Sequence, residues 1–379
     1  MSANASLSFF DHFESLDDPR VQRSKLHPLP NIVFIAVCAV LCGSNDFVGM
    51  AKFGVSKLAW LGKYLDLANG VPSHDTFGRV LSVLDPVQFV ACFTSWVKRF
   101  ADSAVGRLIG IDGKTARASL NQAAGRNPLH VVSAWASDVR LVLGQVAVDE
   151  KSNEITAIPK LLELLELSGA VVTLDAMGCQ KEIADKIREG GGDYVLAVKG
   201  NQEHLADDVI AHFAALDEAA EQGRLDQQAT VYETTDADHG REEHRRCQAV
   251  PAPKALRGHG DWKDLKSICR VTRTYVERGQ EKSEVRYFIS SLKSDARMLG
   301  RAVRGHWGVE NGLHWVLDMT FAEDRSRART GHAQHNFALL RRWVLSLLRQ
   351  DETITASIEK KRLMAGWNGE ILERFLKLF

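Results

Sequence analysis

The chain has 379 residues, with 48 Lys and Arg balanced by 48 Asp and Glu, 45% hydrophobic and 25% charged residues. That length exceeds one ordinary core and predicts two or three structural units, while the composition excludes a disordered or fibrous chain and reads as a folded soluble protein. A formal net charge of zero excludes nucleic-acid attraction by overall charge, so such a partner requires a local basic patch.

Residues 1–100 read as helical. "SLSFFDHFESLDD" has helical apolar spacing and ends at "DPR". "IVFIAVCAVLC", residues 32–42, is shorter than the ~20 residues of a membrane span and predicts a buried helix interrupted at Gly43-Ser44. It follows a charged, polar start, unlike a signal peptide. Ser73 is placed to cap a helix from His74, and Asp85-Pro86 punctuates the next one. Short helix, turn and helix suit a DNA-binding module and an ordinary helical cap equally well. The six cysteines, at 38, 42, 92, 179, 247 and 269, form no CxxC pair, which predicts small core residues in a reducing cytoplasm rather than a zinc site.

Residues 101–202 change character. "RLIGIDG", "LHVVSAWAS" and "RLVLGQVAVD" read as strands, "EITAIPKLLELLEL" as a helix, "AVVTLDAMG" as a strand, "QKEIADKIREGG" as a helix ended by glycines, and "DYVLAVKGNQ" as a further strand. Three strands followed by alternation predict a mixed sheet with helices on its faces. Residues 203–299 open with a polar helix at "EHLADDVIAHFAALDEAAEQG" and continue with strand-like stretches, which reads as a β-rich insertion. Residues 300–350 return to helix, with "AEDRSRARTG" as an exposed basic loop between helical runs, and 351–379 read as a C-terminal helical tail. From Lys293 to Arg349 there are ten Lys/Arg, five Asp/Glu and four His, the best basic patch in the chain.

Two predicted strands, "LIGID" and "VVTLD", each end in an aspartate, Asp112 and Asp175. Ligands gather outside the carboxyl ends of strands in such sheets. Two carboxylates held close repel each other and need a cation; an oxygen-only site favours Mg²⁺ or Mn²⁺. Two such ions can activate a hydroxyl and stabilise the leaving oxygen of a phosphodiester. The alternative is ordinary turn chemistry, since aspartate is common where strands end. A third carboxylate is required. Glu310 is the natural candidate, Asp318 lies eight residues on, and Glu323 and Asp324 are weaker choices.

With these residues in hand, the sequence resembles the DDE transposases of bacterial insertion sequences, specifically the ISAs-type, H-repeat-associated group. The stretches that carry the resemblance are "DDPR", "HPL", "VPSHDTFGRVLSVLDP", "IGIDGKTARAS", "TLDAMGCQKEIADKI", "DYVLAVKGNQ", "HGREEHRR", "RYFISSL" and "HWGVENGLHWVLDMTFAEDRSRAR", in family order from about residue 10 to 350. The resemblance implies an α/β fold: an RNase H-like mixed-sheet core flanked by helices, a β-rich insertion before the last catalytic helix, and an N-terminal helical domain. It implies a catalytic, metal-binding triad of Asp112, Asp175 and Glu310, with Mg²⁺ or Mn²⁺, two ions, as cofactor. It also implies double-stranded DNA partners, both terminal repeats and target, a homodimer or higher oligomer on DNA, and a bacterial, cytoplasmic, nucleoid-associated setting.

The match has one departure. Related transposases carry Tyr-x2-Arg-x3-Glu-x6-Lys around the glutamate; aligned on Glu310, those positions are Val303, His306 and Leu317. His306 can still donate to a phosphate but is only partly charged at pH 7. The expected DNA contacts are Lys114, Lys199, Arg304, His306, Arg325, Arg327 and Arg329, with Asn201 beside Lys199; Trp307 and Trp315 are expected to pack. The predicted function is metal-dependent phosphodiester hydrolysis and strand transfer at insertion-sequence ends. The alternatives are an RNase H-like nuclease without strand transfer and a non-catalytic, DNA-binding copy. No GxxxxGK[ST] loop, GxSxG elbow or Cys-His set supports other chemistry.

Overall fold

The computed structural model describes residues 10–100, 105–119, 127–148, 152–224, 228–238, 241–277 and 280–376. The N-terminal helices are α1 (Leu29–Leu41), α2 (Phe47–Ser56), α3 (Leu58–Leu61), α4 (His74–Val83) and α5 (Pro86–Val97). Then come strands β1 (Leu108–Ala116), β2 (Leu129–Ala136) and β3 (Leu141–Ala147), helix α6 (Glu154–Leu162), β4 (Val171–Leu174), α7 (Lys181–Glu189), β5 (Asp193–Val198) and α8 (Glu203–Glu221). Four strands follow, β6 (Thr230–Asp238), β7 (Arg241–Pro251), β8 (Ser267–Glu277) and β9 (Gln280–Ser290). The last helices are α9 (Ala296–Val309), α10 (Trp315–Met319), α11 (Ala333–Gln350), α12 (Ile358–Trp367) and α13 (Gly369–Leu376).

The protein is mixed α/β. Its strand order is β3-β2-β1-β4-β5-β9-β8-β7-β6. The chain divides into two compact units, made from the described residues of Met1–Asp102, Gly113–Ser152 and Glu310–Phe379, and from those of Ser103–Asp112 and Asn153–Val309. Strand β1 runs through both.

The first unit is built around α11. Fourteen of its eighteen residues are buried, and its Trp343 ring meets Phe13 at 5.1 Å and Trp96 at 5.6 Å. Its neighbours are α1, α4, α5, α12, α13 and β3. Helix α1 is buried along its length, as its apolar run requires, and it ends at Leu41, with Gly43 at φ +105°. The carbonyl of Val40, which accepts from the Gly43 amide at 3.2 Å, also accepts from Nε and Nη2 of the buried Arg362 at 3.1 and 2.8 Å. Ser73 caps α4 by accepting from the Thr76 amide, and Asp85 caps α5 by accepting from Val87 at 2.7 Å. Both stops were legible as sequence. The helix expected over "SLSFFDHFESLDD" is not formed: Phe10–Phe13 makes a single 3₁₀ turn, residues 1–9 lie outside the described residues, and the Asp17 amide instead bonds the Gln88 side chain. Tertiary anchoring of buried Phe13 and Leu16 outweighs local propensity here.

The second unit holds the other end of the sheet. Strand β4 pairs parallel with β1 and β5; β9 then pairs antiparallel with β5, and β8, β7 and β6 follow antiparallel. The strands expected as an insertion therefore prolong the sheet. Leu299, Ala302 and Val303 of α9 pack on Val171, Val195, Cys247, Cys269 and Phe288. Residues alternating with these, such as Val172, Leu174, Tyr194 and Leu196, are also buried, so both faces are covered, and α7 lies against β5. Among the described residues, no single helix is long and apolar enough to cross a membrane.

Candidate active site

The parallel ladder between β1 and β4 ends at the pair Ile111 and Leu174. The next residue in each segment is an aspartate: Asp112 lies within β1 and Asp175 directly follows β4, and paired strands lie about 4.8 Å apart. Asp175 follows the last residue of β4 as expected, but β1 does not stop at Asp112 and continues to Ala116. The reason is that β1 loses β4 as a partner while its chain goes on as a strand. Register decides the face. Thr173 and Gly110 are paired, and an added Cβ at Gly110 would come 2.6 Å from Val309 Cγ2 of α9. Period-two alternation along β1 puts Asp112 on this same α9-covered face. Gly110 is thus what lets α9 lie on β1. Thr173 Oγ1 sits 3.1 Å from His306 Nδ1, which ties the helix to β4 just below the aspartates. Asp175 Oδ1 accepts from the Met177 and Gly178 amides at 3.0 and 3.2 Å, so the turn chemistry orients the carboxylate.

Asp175 borders a cavity of about 400 Å³ whose walls include Lys199, Glu203, Asp207, Arg286, His306 and Trp307. Continuing the β5–β9 register past Val198 and Tyr287 sets Lys199 opposite Arg286. The Arg286 guanidinium lies 4.6 Å from the Trp307 ring centroid, the geometry of a cation–π contact. Burial pushes the His306 imidazole below its ordinary range, against the upward pull of the Asp175 carboxylate. Its Nδ1 is engaged with Thr173 Oγ1 inside the fold. Arg286, Glu203 and Asp207 escaped the sequence analysis. The alternation in "SEVRYFISSL" marks Arg286 as one face of a strand, but only the β5–β9 pairing aims it at Lys199. Asn201 donates to the Ala176 carbonyl at 2.5 Å and so braces the turn after Asp175.

In the first unit, Glu310 is exposed and opens a π-turn, Glu310–His314, that follows α9 without a break and leads into α10. A π-turn adds one residue to a helical repeat. Seven residues past Glu310, the position of the family lysine, comes Leu317, which is 0% exposed; eight past comes Asp318, whose carboxylate meets Lys114 Nζ at 2.7 Å. The slipped face explains why Leu317 belongs to the core. Lys114 is 8% exposed and lies 3.7 Å from Asp324 as well, so it is committed to two carboxylates rather than presented to solvent. In the second unit Val303 is core, and Arg304 is paired with Asp236, which Arg245 also engages.

Arg325, Arg327 and Arg329 are exposed, as expected of the basic loop, yet Glu323 within it is buried in an ion pair with Arg342 at 2.8 Å. Arg341 and Arg342 are each 1% exposed, which removes two of the ten basic residues from the surface patch. Trp315 is 60% exposed and so is not packed as expected, whereas Trp307 packs against the Arg286 guanidinium at the cavity edge.

Among the described residues, no three His, Cys, Asp or Glu side chains converge as a ready-made metal cluster. The Asp112–Asp175 pair offers oxygen donors alone, the donor chemistry that suits Mg²⁺ or Mn²⁺.

Two adjacent parallel strands of one mixed sheet each run into an aspartate. The comparisons name the class: "Transposase DDE domain" matches residues 103–347 and "DDE_Tnp_1-associated" matches residues 10–97, so the chain belongs to the DDE transposase family. It is 37% identical to "H repeat-associated putative transposase YhhI" of Escherichia coli (strain K12), over 97% of each chain. To "Putative transposase YncI" of Escherichia coli O157:H7 it is 37% identical over 97% of this chain and 94% of that one. A solved piggyBac transposase synaptic complex with hairpin DNA aligns over 92% of this chain and 72% of its own, at a TM-score of 0.40 and 12% identity.

Proposed function

We propose that the protein is a metal-dependent DNA transposase with an RNase H-like catalytic core, cutting at the ends of its own element and joining the freed 3′ hydroxyl to target DNA. The observation that carries this reading is the parallel β1–β4 ladder under α9, which ends one residue before Asp112 and Asp175. Glu310 completes the set by family position. Bound Mg²⁺ or Mn²⁺, two ions, would supply an activated hydroxyl and charge stabilisation at phosphorus. Asp112, Asp175 and Glu310 would hold the ions and not attack the substrate themselves.

The chain's other groups position and grip. The Met177 and Gly178 amides fix the Asp175 carboxylate, and His306 holds α9 on β4 through Thr173. Lys199 and Arg286 bring positive charge to the cavity edge, where an incoming phosphate is drawn toward the aspartates. Arg325, Arg327 and Arg329 supply sequence-independent backbone contacts, while reading of the repeat falls to the N-terminal helices or to the strands after α8. Pairing two DNA ends calls for a dimer or larger assembly on duplex DNA, at the bacterial nucleoid.

The test is Mg²⁺-dependent cleavage of a labelled duplex carrying the element's terminal repeats. Wild type is compared with Asp112→Asn, Asp175→Asn and Glu310→Gln. Repeat-specific cutting lost in all three supports the reading. Cutting that ignores the repeats points to the plain nuclease, and a folded, DNA-binding wild type that never cuts points to a non-catalytic copy.

A further inference from the structure

A second concavity, of about 480 Å³, lies wholly within the first unit, between the outer face of α4 and the loop after Arg325. Its charged lining is Arg79, Arg327, Arg329, His74 and Asp75, three arginines against one aspartate in a chain whose total charge is zero. All five side chains are exposed. On α4 this follows from helical spacing. Phe77, Val80 and Leu81 face the core, which leaves His74, Asp75 and Arg79 outside. On the loop it follows from alternation, with Ser326 buried and Ala328 half-buried between the exposed arginines.

The two walls are clamped together. The His332 amide donates to the Ser82 carbonyl at 2.9 Å, and Asn336 Nδ2 donates to the Leu81 and Leu84 carbonyls at 2.9 Å each. Gly331 sits at φ +51°, where an added Cβ would land on the Ser82 carbonyl oxygen. The last turn of α4 is thus held against the chain just after the arginines, which fixes the spacing of the two backbones that carry the cationic groups. Cationic side chains on clamped backbones lose less freedom on binding an anion than those on separate flexible segments do.

We propose that α4 and this loop form one groove that grips the phosphate backbone of duplex DNA, so that the N-terminal helices and the segment after Glu310 hold the same stretch of duplex. This rests on the reading of the chain as a DNA-acting transposase and gives that reading a second contact surface. The groove supplies grip without base readout, because guanidinium–phosphate contacts carry no sequence information.

The test is binding of the full chain to a labelled duplex, with and without terminal repeats, across about 50–200 mM salt. Each phosphate contact contributes about 0.9 to the salt slope, or about 3.5-fold in affinity over that range. Arg79→Ala and Arg327→Ala should each lower the slope by about that amount, equally on both duplexes, and Arg79→Lys should keep it. Gly331→Ala should weaken binding although it removes no charge. The proposal is overturned if the wild type does not bind duplex, or if Arg79→Ala keeps the full slope. It is overturned too if Gly331→Ala, shown folded by its melting curve, binds as wild type. Catalysis is read separately: Asp175→Asn should keep the wild-type slope, and a wild type that binds with full slope but does not cut refutes the catalytic reading alone.

Discussion

Two concavities of similar volume, about 400 Å³ beside Asp175 and about 480 Å³ beside α4, differ in chemistry. The first sets carboxylates near a lysine and an arginine, against an apolar wall that includes Val195, Phe288 and Trp307. The second is open, arginine-rich and nearly free of acid. A reaction at phosphorus needs charges of both signs held in register, whereas grip on a polyanion needs only fixed positive charge. Under the proposed function, the difference teaches that affinity and chemistry should be alterable separately.

The largest effect should come from breaking the acidic side. Asp175→Asn should cut the cleavage rate on the order of 10²–10³-fold, because metal charge stabilisation is worth several kcal/mol. Duplex affinity should stay near wild type, and a parallel fall in binding would erase the division between the two concavities.

Next is Leu317→Lys. Restoring the family lysine at a fully buried site should cost several kcal/mol in a denaturation experiment, on the order of 3–5. It should bring no gain in DNA affinity. A stable variant that binds more tightly would refute the face shift caused by the π-turn.

Gly110→Ala is expected to be milder, at about 1–3 kcal/mol, since the new Cβ would crowd Val309 and lift α9 from β1. Cleavage should fall more than stability alone requires, because His306 rides on the same helix. Unchanged activity would show that α9 can shift without consequence.

The pH response sharpens the contrast further. Burial, with Arg342 and His332 nearby, pushes the His335 imidazole of α11 down to about 4. The unfolded chain therefore binds the proton first. The stabilisation is fully present above about pH 6.5 and is lost as pH falls toward 4, by roughly 1–2 kcal/mol between pH 6.5 and 5. His335→Asn should flatten that slope in melts of the full chain. The smallest effects are the salt-slope changes of the single arginine variants, which leave the chemistry untouched.

Much of this was legible as sequence. The order of three strands, helix, strand, helix and strand follows from hydrophobic periodicity and is the order of β1–β5 with α6 and α7. The caps at Ser73 and Asp85 follow from side chains that accept from nearby amides, a purely local matter. Membership of the DDE transposase family was also written in the chain, in motifs that are each weak but specific as a set. What stayed hidden depends on distant residues. Nothing near position 114 announces that Lys114 is buried between Asp318 and Asp324, more than 200 residues away in sequence. Nothing in "HNFALLRRWVLSLL" alone removes Arg341 and Arg342 from the surface.

The sequence by itself determined most of the element types, the family and the two aspartates that follow apolar runs, because period, capping and motif are properties of neighbouring residues. Only the tertiary structure decided that β1 and β4 pair in parallel with Ile111 opposite Leu174, one residue before Asp112 and Asp175, because parallel pairing is set by contacts between strands 63 residues apart. Only the tertiary structure, too, inserted a π-turn at Glu310 and so exchanged Leu317 for Asp318 on the outward face. A helix accepts such an extra residue when the side chains packed around it gain more than the strained turn loses, and that balance is struck over the whole fold.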